Sequence, residues 1–84
     1  MAELQNKLKM AKEKVEIGKK YAHYRSKEKA YLVLQVALLE HDLEPCVVYQ
    51  DSTDSSLVWV RPLASFCEKV NHDGKMVPRF EKIA

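Results

Sequence analysis

The stretch LVWVRPLASFCEKVNHDGKMVPRF, Leu57 to Phe80, decides the fold, because it holds three elements and two sharp breaks in succession. Leu57 to Arg61 alternates apolar bulk with β-branched residues, as a strand does, and Pro62 ends that strand by removing a backbone donor. Leu63, Phe66, Cys67 and Val70 then fall at i, i+3, i+4 and i+7, which predicts a short helical turn near 63–70. Asn71-His72-Asp73-Gly74 supplies turn chemistry, and Val77 to Phe80 reads as an edge strand.

Working outward, Leu4, Leu8, Ala11 and Val15 recur every three or four positions with lysines between them, the pattern of an amphipathic helix from Glu3 to about Glu16. Gly18 is its expected stop. A helix of this length is marginal alone in water, so the stripe must dock, either on its own domain or on another chain. Tyr21 to Arg25 alternates with period two and predicts the first strand, with Ser26 to Lys29 as a polar turn. Ala30 to His41 mixes helix formers with an apolar run that also suits a buried strand, and local pattern does not decide between them. Cys46 to Gln50 reads as the next strand and Asp51 to Ser56 as a polar turn.

With 84 residues the chain makes one small domain. Its expected division is a helical extension over 1–17 and a single β domain over 18–84. The most apolar run, Ala30 to Leu39, is about half of what a bilayer helix needs, so no membrane span is expected. The N-terminus carries Glu3, Lys7, Lys9 and Lys12 where a secretory apolar segment would lie, and a cytoplasmic protein is expected. Residues 1–30 hold nine Lys or Arg against four acids, whereas 31–84 hold five against eight. That basic third suits phosphates or anionic lipid, or equally a solvated lysine-rich helix face.

Catalytic and metal chemistry find little support. His23, His41, Cys46, Cys67 and His72 lack the paired short spacing of structural zinc sites, and only Gly18 and Gly74 could contribute to a glycine-rich phosphate loop. Cys46 and Cys67 have no CxxC partner and are expected as free, buried thiols in a reducing compartment. No cofactor is expected, and the domain reads as non-enzymatic.

Five segments in order, YAHYR (Tyr21–Arg25), AYLVL (Ala30–Leu34), VVYQ (Val47–Gln50), WVRPLASF (Trp59–Phe66) and DGKMVPRF (Asp73–Phe80), resemble the domain of unknown function 1653 family over residues 18–83. The resemblance implies a compact strand-rich fold, tips Ala30 to Leu39 toward strand, and carries no assigned activity. Ala22 stands where the family has arginine, Ser26 where it has glycine at the first turn, and Ser55-Ser56 where a glycine is frequent. His23, Tyr24, Trp59, Arg61 and Arg79 match its pattern.

The expected fold is therefore mainly β: a small SH3-like barrel or strongly bent antiparallel sheet of about five strands, with an N-terminal helix. If Val58 and Val60 fill the core, Trp59 and Arg61 project outward together, and an aromatic beside a guanidinium can stack on bases or on a proline-rich peptide. The competing reading covers Trp59 with the helix or Phe66 and pairs Arg61 with Glu68. The leading functional expectation is an interaction module that presents His23, Tyr24, Trp59, Arg61 and Arg79 to a peptide or nucleic-acid strand. The alternative is an assembly adaptor using Leu4, Leu8, Ala11 and Val15 as a protein interface, with the protein a monomer or a weak homo-oligomer through that helix. An enzyme of unassigned activity is the remote third.

Overall fold

The structure, a computed structural model, describes residues 2–84. An N-terminal helix α1 (Ala2–Lys14) leads into β1 (Lys20–His23), β2 (Ser26–Leu38), β3 (Pro45–Asp51) and β4 (Asp54–Pro62). A single helical turn α2 (Leu63–Phe66) follows, then β5 (Lys69–His72), β6 (Lys75–Pro78) and β7 (Phe80–Lys82). Five strands form one antiparallel sheet in the order β4-β3-β2-β1-β7, and β5 with β6 forms a separate two-stranded ribbon.

This corrects the expected SH3-like barrel or strongly bent sheet. Closure would require β4 to reach β7, but β7 is only three residues long and bonds β1, so β4 and β7 remain two free edges of an open sheet. The two strands that might have bridged the gap instead turn on each other. Asp73 and Gly74 both take positive φ, 54° and 80°, and connect His72 directly to Lys75. Such a two-residue turn matches the strand twist and folds β5–β6 locally.

The undecided segment is strand from Ala30 as far as Leu38, and that strand starts at Ser26, taking in the polar turn expected at Ser26 to Lys29. Between Val33 and Gln35 its pairing with β3 slips by one residue, leaving Leu34 as the extra one. A bulge reverses the alternation, so Val33 and Val36 both face the core, opposite Tyr49 and Val47. Val70, placed in the helical stripe by its spacing, lies in β5.

The core sits on one face of the sheet. Ala11 and Val15 of α1, Leu63 and Phe66 of α2, and Tyr21, Val33, Val36, Val47, Tyr49 and Phe80 form one buried cluster, with Leu8 packed against it. The helix stripe is thus docked on its own domain: Ala11 and Val15 are fully enclosed, while Leu4 stays half-exposed. Lys82 bridges to Glu16 at 2.9 Å, and the Glu16 amide donates to the Tyr21 hydroxyl, closing the passage from α1 to β1.

Directly paired strand residues lie on the same side of a sheet. Tyr49 pairs with Trp59 and Val47 with Arg61, so Trp59 and Arg61 share the core's side, whereas Val58 and Val60 point to the other. The expectation that these valines fill the core is therefore overturned: Val58 is 48% and Val60 61% exposed.

Candidate functional site

The aromatic residues on the core side run as a chain of ring contacts from the interior to the surface. Phe66 and Phe80 stack in parallel, centroids 4.2 Å apart. Tyr49 meets both edge-on at 5.4 Å, Tyr31 meets Tyr49 at 5.6 Å, and His23 meets Phe80 at 5.1 Å. Edge-on and offset pairs are favourable because ring edges are positive and faces negative. Where α1 and α2 no longer cover this layer, it opens as a cleft of about 250 Å³ lined by His23, Ser26, Tyr31, Tyr49, Trp59, Arg61 and Phe80.

Arg61 supplies the charge. Its Nη1 donates to Ser65 Oγ at 2.9 Å, its Nε lies 3.5 Å from the Tyr49 hydroxyl, and the guanidinium carbon sits 5.7 Å from the Phe80 ring centre. The side chain is half-buried, and among the described residues no carboxylate stands within ion-pair distance of it. The suggested pairing with Glu68 belongs to Arg79 instead, whose Nη2 meets Glu68 at 2.7 Å while its Nε donates to the Ser65 carbonyl. A partly desolvated cation with only neutral partners favours an anion in the cleft beside it.

His23 adds a neutral donor. Its Nδ1 accepts the Arg25 amide at 3.2 Å, which leaves the proton of the neutral ring on Nε2. Burial holds its pKa below the ordinary histidine value, and the positive charges of Arg61, Arg79 and Arg25 push it the same way. At neutral pH the ring is uncharged.

Of the five residues read from sequence, His23, Trp59 and Arg61 meet in this cleft. Tyr24 stands behind it, its ring 4.7 Å from His23 and 5.4 Å from His72, and lines a separate small recess with Ala22, Val77 and Pro78. Arg79 acts as a staple between the start of β7 and α2. Ser26, Tyr31, Tyr49 and Phe80 were missed as lining residues. VVYQ was visible as a strand, whereas VPRF, read as one edge strand, is divided at Arg79 between β6 and β7; only the register puts Tyr49 beside Trp59 and Phe80 beside His23.

A second, more apolar groove of about 410 Å³ lies between α2 and the β2–β3 connection, lined by Leu39, Pro45, Pro62 and Leu63 together with both cysteines. Cys46 is buried as expected, but Cys67 is exposed, and both are free. Burial raises both thiol pKa values, with Asp42 and Glu44 adding to the rise at Cys46, so neither is activated as a nucleophile. Among the described residues no group of three or more His, Cys, Asp or Glu side chains could hold a metal ion, and no helix is long and apolar enough to cross a membrane.

An open five-stranded sheet, helices on one face and an aromatic cleft with a carboxylate-free arginine define a small sheet domain with a built recess. The chain belongs to the family described as protein of unknown function (DUF1653), whose model matches residues 19–82. A crystal structure of a member of that family from Bordetella bronchiseptica is similar to it, with a TM-score of 0.67 and 26% identity, covering 79% of this chain and 85% of that one. No curated protein matches the chain.

Proposed function

We propose that the domain is a non-enzymatic binding module whose cleft takes one ring-bearing, negatively charged unit of an extended strand, a nucleotide of single-stranded nucleic acid being the form it suits best. The observation that carries this is Arg61: a half-buried guanidinium held by Ser65 and Tyr49, without a carboxylate, beside the half-exposed ring of Trp59. A base stacks on the indole with little regard to its identity, contributing about 1–3 kcal/mol, while the adjoining phosphate meets the guanidinium. The cleft's volume suits a single such unit. Arg25 and Arg79 add positive potential around it. Two free cysteines fit a reducing, cytoplasmic setting.

A peptide carrying an aromatic residue next to an acid offers similar groups and is the second reading. The adaptor reading is less favoured, because Ala11 and Val15, half of the proposed helix interface, are spent inside the domain. Titrating Trp59 fluorescence with short single-stranded oligonucleotides and with acidic aromatic peptides separates these. Quenching by oligonucleotides that weakens steeply with salt supports the nucleic-acid reading, since each neutralised phosphate of a single strand adds a slope of about −0.7 in log affinity against log salt. An indole that responds to neither pool removes the cleft as a binding site.

A further inference from the structure

The two edges of the sheet are built differently. The β7 edge is three residues long and carries Glu81 and Lys82, the short charged form that discourages pairing with another strand. The β4 edge is nine residues long, regular from Val58 onward after a register break near its start, and its middle, Leu57-Val58-Trp59-Val60, is uncharged and 41–61% exposed on both sides of the strand. Such an edge leaves a row of backbone donors and acceptors available on its outer side and a band of apolar side chains with nothing to cover it.

We propose that two copies of this chain pair through β4, antiparallel about a twofold axis, joining their five-stranded sheets into one continuous sheet. The strand is complementary to itself in that arrangement. Its only charges are Asp54 at one end and Arg61 near the other, with six neutral residues between. Antiparallel pairing brings the acidic end of each strand alongside the basic end of its partner, whereas parallel pairing sets like charges together. Asp54 is held in its ionised form by the Ser56 amide and hydroxyl, at 3.0 and 2.6 Å, so the acidic end keeps its charge at neutral pH. Val58 and Val60 of both copies then form one apolar band on the face away from the cleft, while Trp59 and Arg61, the cleft's wall on β4, lie along the seam on the other face. One added strand pair buries less than the roughly 1,200 Å² of a stable interface, so the dimer is a weak, concentration-dependent one.

Sedimentation velocity on the full chain, from low micromolar to near-millimolar protein, tests this. The expected result is a monomer that becomes a dimer as concentration rises. Val60→Lys, which places the charge that natural edges use, and Asp54→Arg, which makes both ends basic, should each raise the dimer dissociation constant at least about tenfold. Thermal unfolding of Val60→Lys should match the parent, since the position is exposed, whereas Asp54→Arg, which also gives up the two bonds from Ser56, should unfold slightly earlier while remaining folded, and oligonucleotide quenching of Trp59 should persist. Met10→Glu, on the exposed side of α1, should leave the dimer intact. A parent that stays monomeric throughout, folded Val60→Lys and Asp54→Arg proteins that associate as tightly as the parent, or loss of the dimer in Met10→Glu would each overturn the proposal. None of these outcomes depends on whether the cleft binds a ligand.

Discussion

Phe66 and Trp59 lie on the same side of the same sheet, linked through Tyr49, and they have opposite fates. Phe66, on α2, is 2% exposed and stacked on Phe80 in the cluster that also takes Ala11 and Val15 of α1, whereas Trp59 is 48% exposed on β4. Both are large aromatic residues in the one segment that decides the fold. The difference teaches that coverage, rather than residue type, divides this aromatic layer into a part that holds the domain together and a part left available to a ligand. In an 84-residue chain that division is costly, because every large side chain left uncovered is withdrawn from a small core.

The sharpest way to break the comparison is at its buried end. Phe66→Ala removes a ring that touches Tyr21, Tyr49 and Phe80, and should lower unfolding free energy by about 3–5 kcal/mol, measured by denaturant titration. A loss no larger than that of an exposed residue would mean that the stack does not carry the core.

Next comes Asp51, a buried carboxylate at the end of β3, bonded to Lys29 at 2.8 Å and to the Thr53 hydroxyl and amide. The Lys29 bond first, then those from Thr53, hold its pKa down from 3.8 to about 2. A depressed carboxylate stabilises the fold above its unfolded pKa and loses that contribution as pH falls through the folded one. Stability should therefore decline between about pH 4 and pH 2, and Asp51→Asn should flatten that part of the acid profile while lowering stability at neutral pH. Gly74→Ala should cost about 1–2 kcal/mol, since its φ of +80° disfavours any side chain although nothing within 4 Å would meet the added carbon. That variant loosens the β5–β6 ribbon without touching either end of the aromatic layer, so its binding should equal the parent's.

Much of this arrangement was legible in residues 57–80. Pro62 ended the strand, Leu63 and Phe66 entered the core, and Asp73-Gly74 made the hairpin turn. Alternation also separated Trp59 and Arg61 from Val58 and Val60, but it could not say which pair faces the core, because period two is symmetric between faces. Register breaks that symmetry, and register here depends on the bulge at Leu34 and on pairing with Tyr49, both distant in sequence. The barrel failed for a similar reason. Closure depends on which strands meet at the ends of the chain, and a local turn that turns β5 back on β6 pre-empts it. Three cleft residues were found because their chemistry is conspicuous, whereas Tyr31, Tyr49 and Phe80 are ordinary core aromatics until the sheet leaves one side of them open.

The open end of the comparison predicts small effects on stability and large ones on binding. Trp59→Ala should change unfolding free energy by less than about 1 kcal/mol, as an exposed substitution does, yet abolish the stacking contribution, about 1–3 kcal/mol per base. His23 sharpens the point through pH. Its folded pKa lies below the ordinary value because burial and three arginines oppose its charge, so protonation below neutral pH costs stability. An anion in the cleft reverses the balance by favouring the protonated ring. Affinity for an oligonucleotide should therefore rise as pH falls below about 6.5, and His23→Gln, followed by fluorescence anisotropy of a labelled strand, should remove that rise while keeping neutral-pH binding. Binding that is equally flat with pH in both proteins would place the anion away from His23, and Arg61 would then have to meet it from outside the cleft.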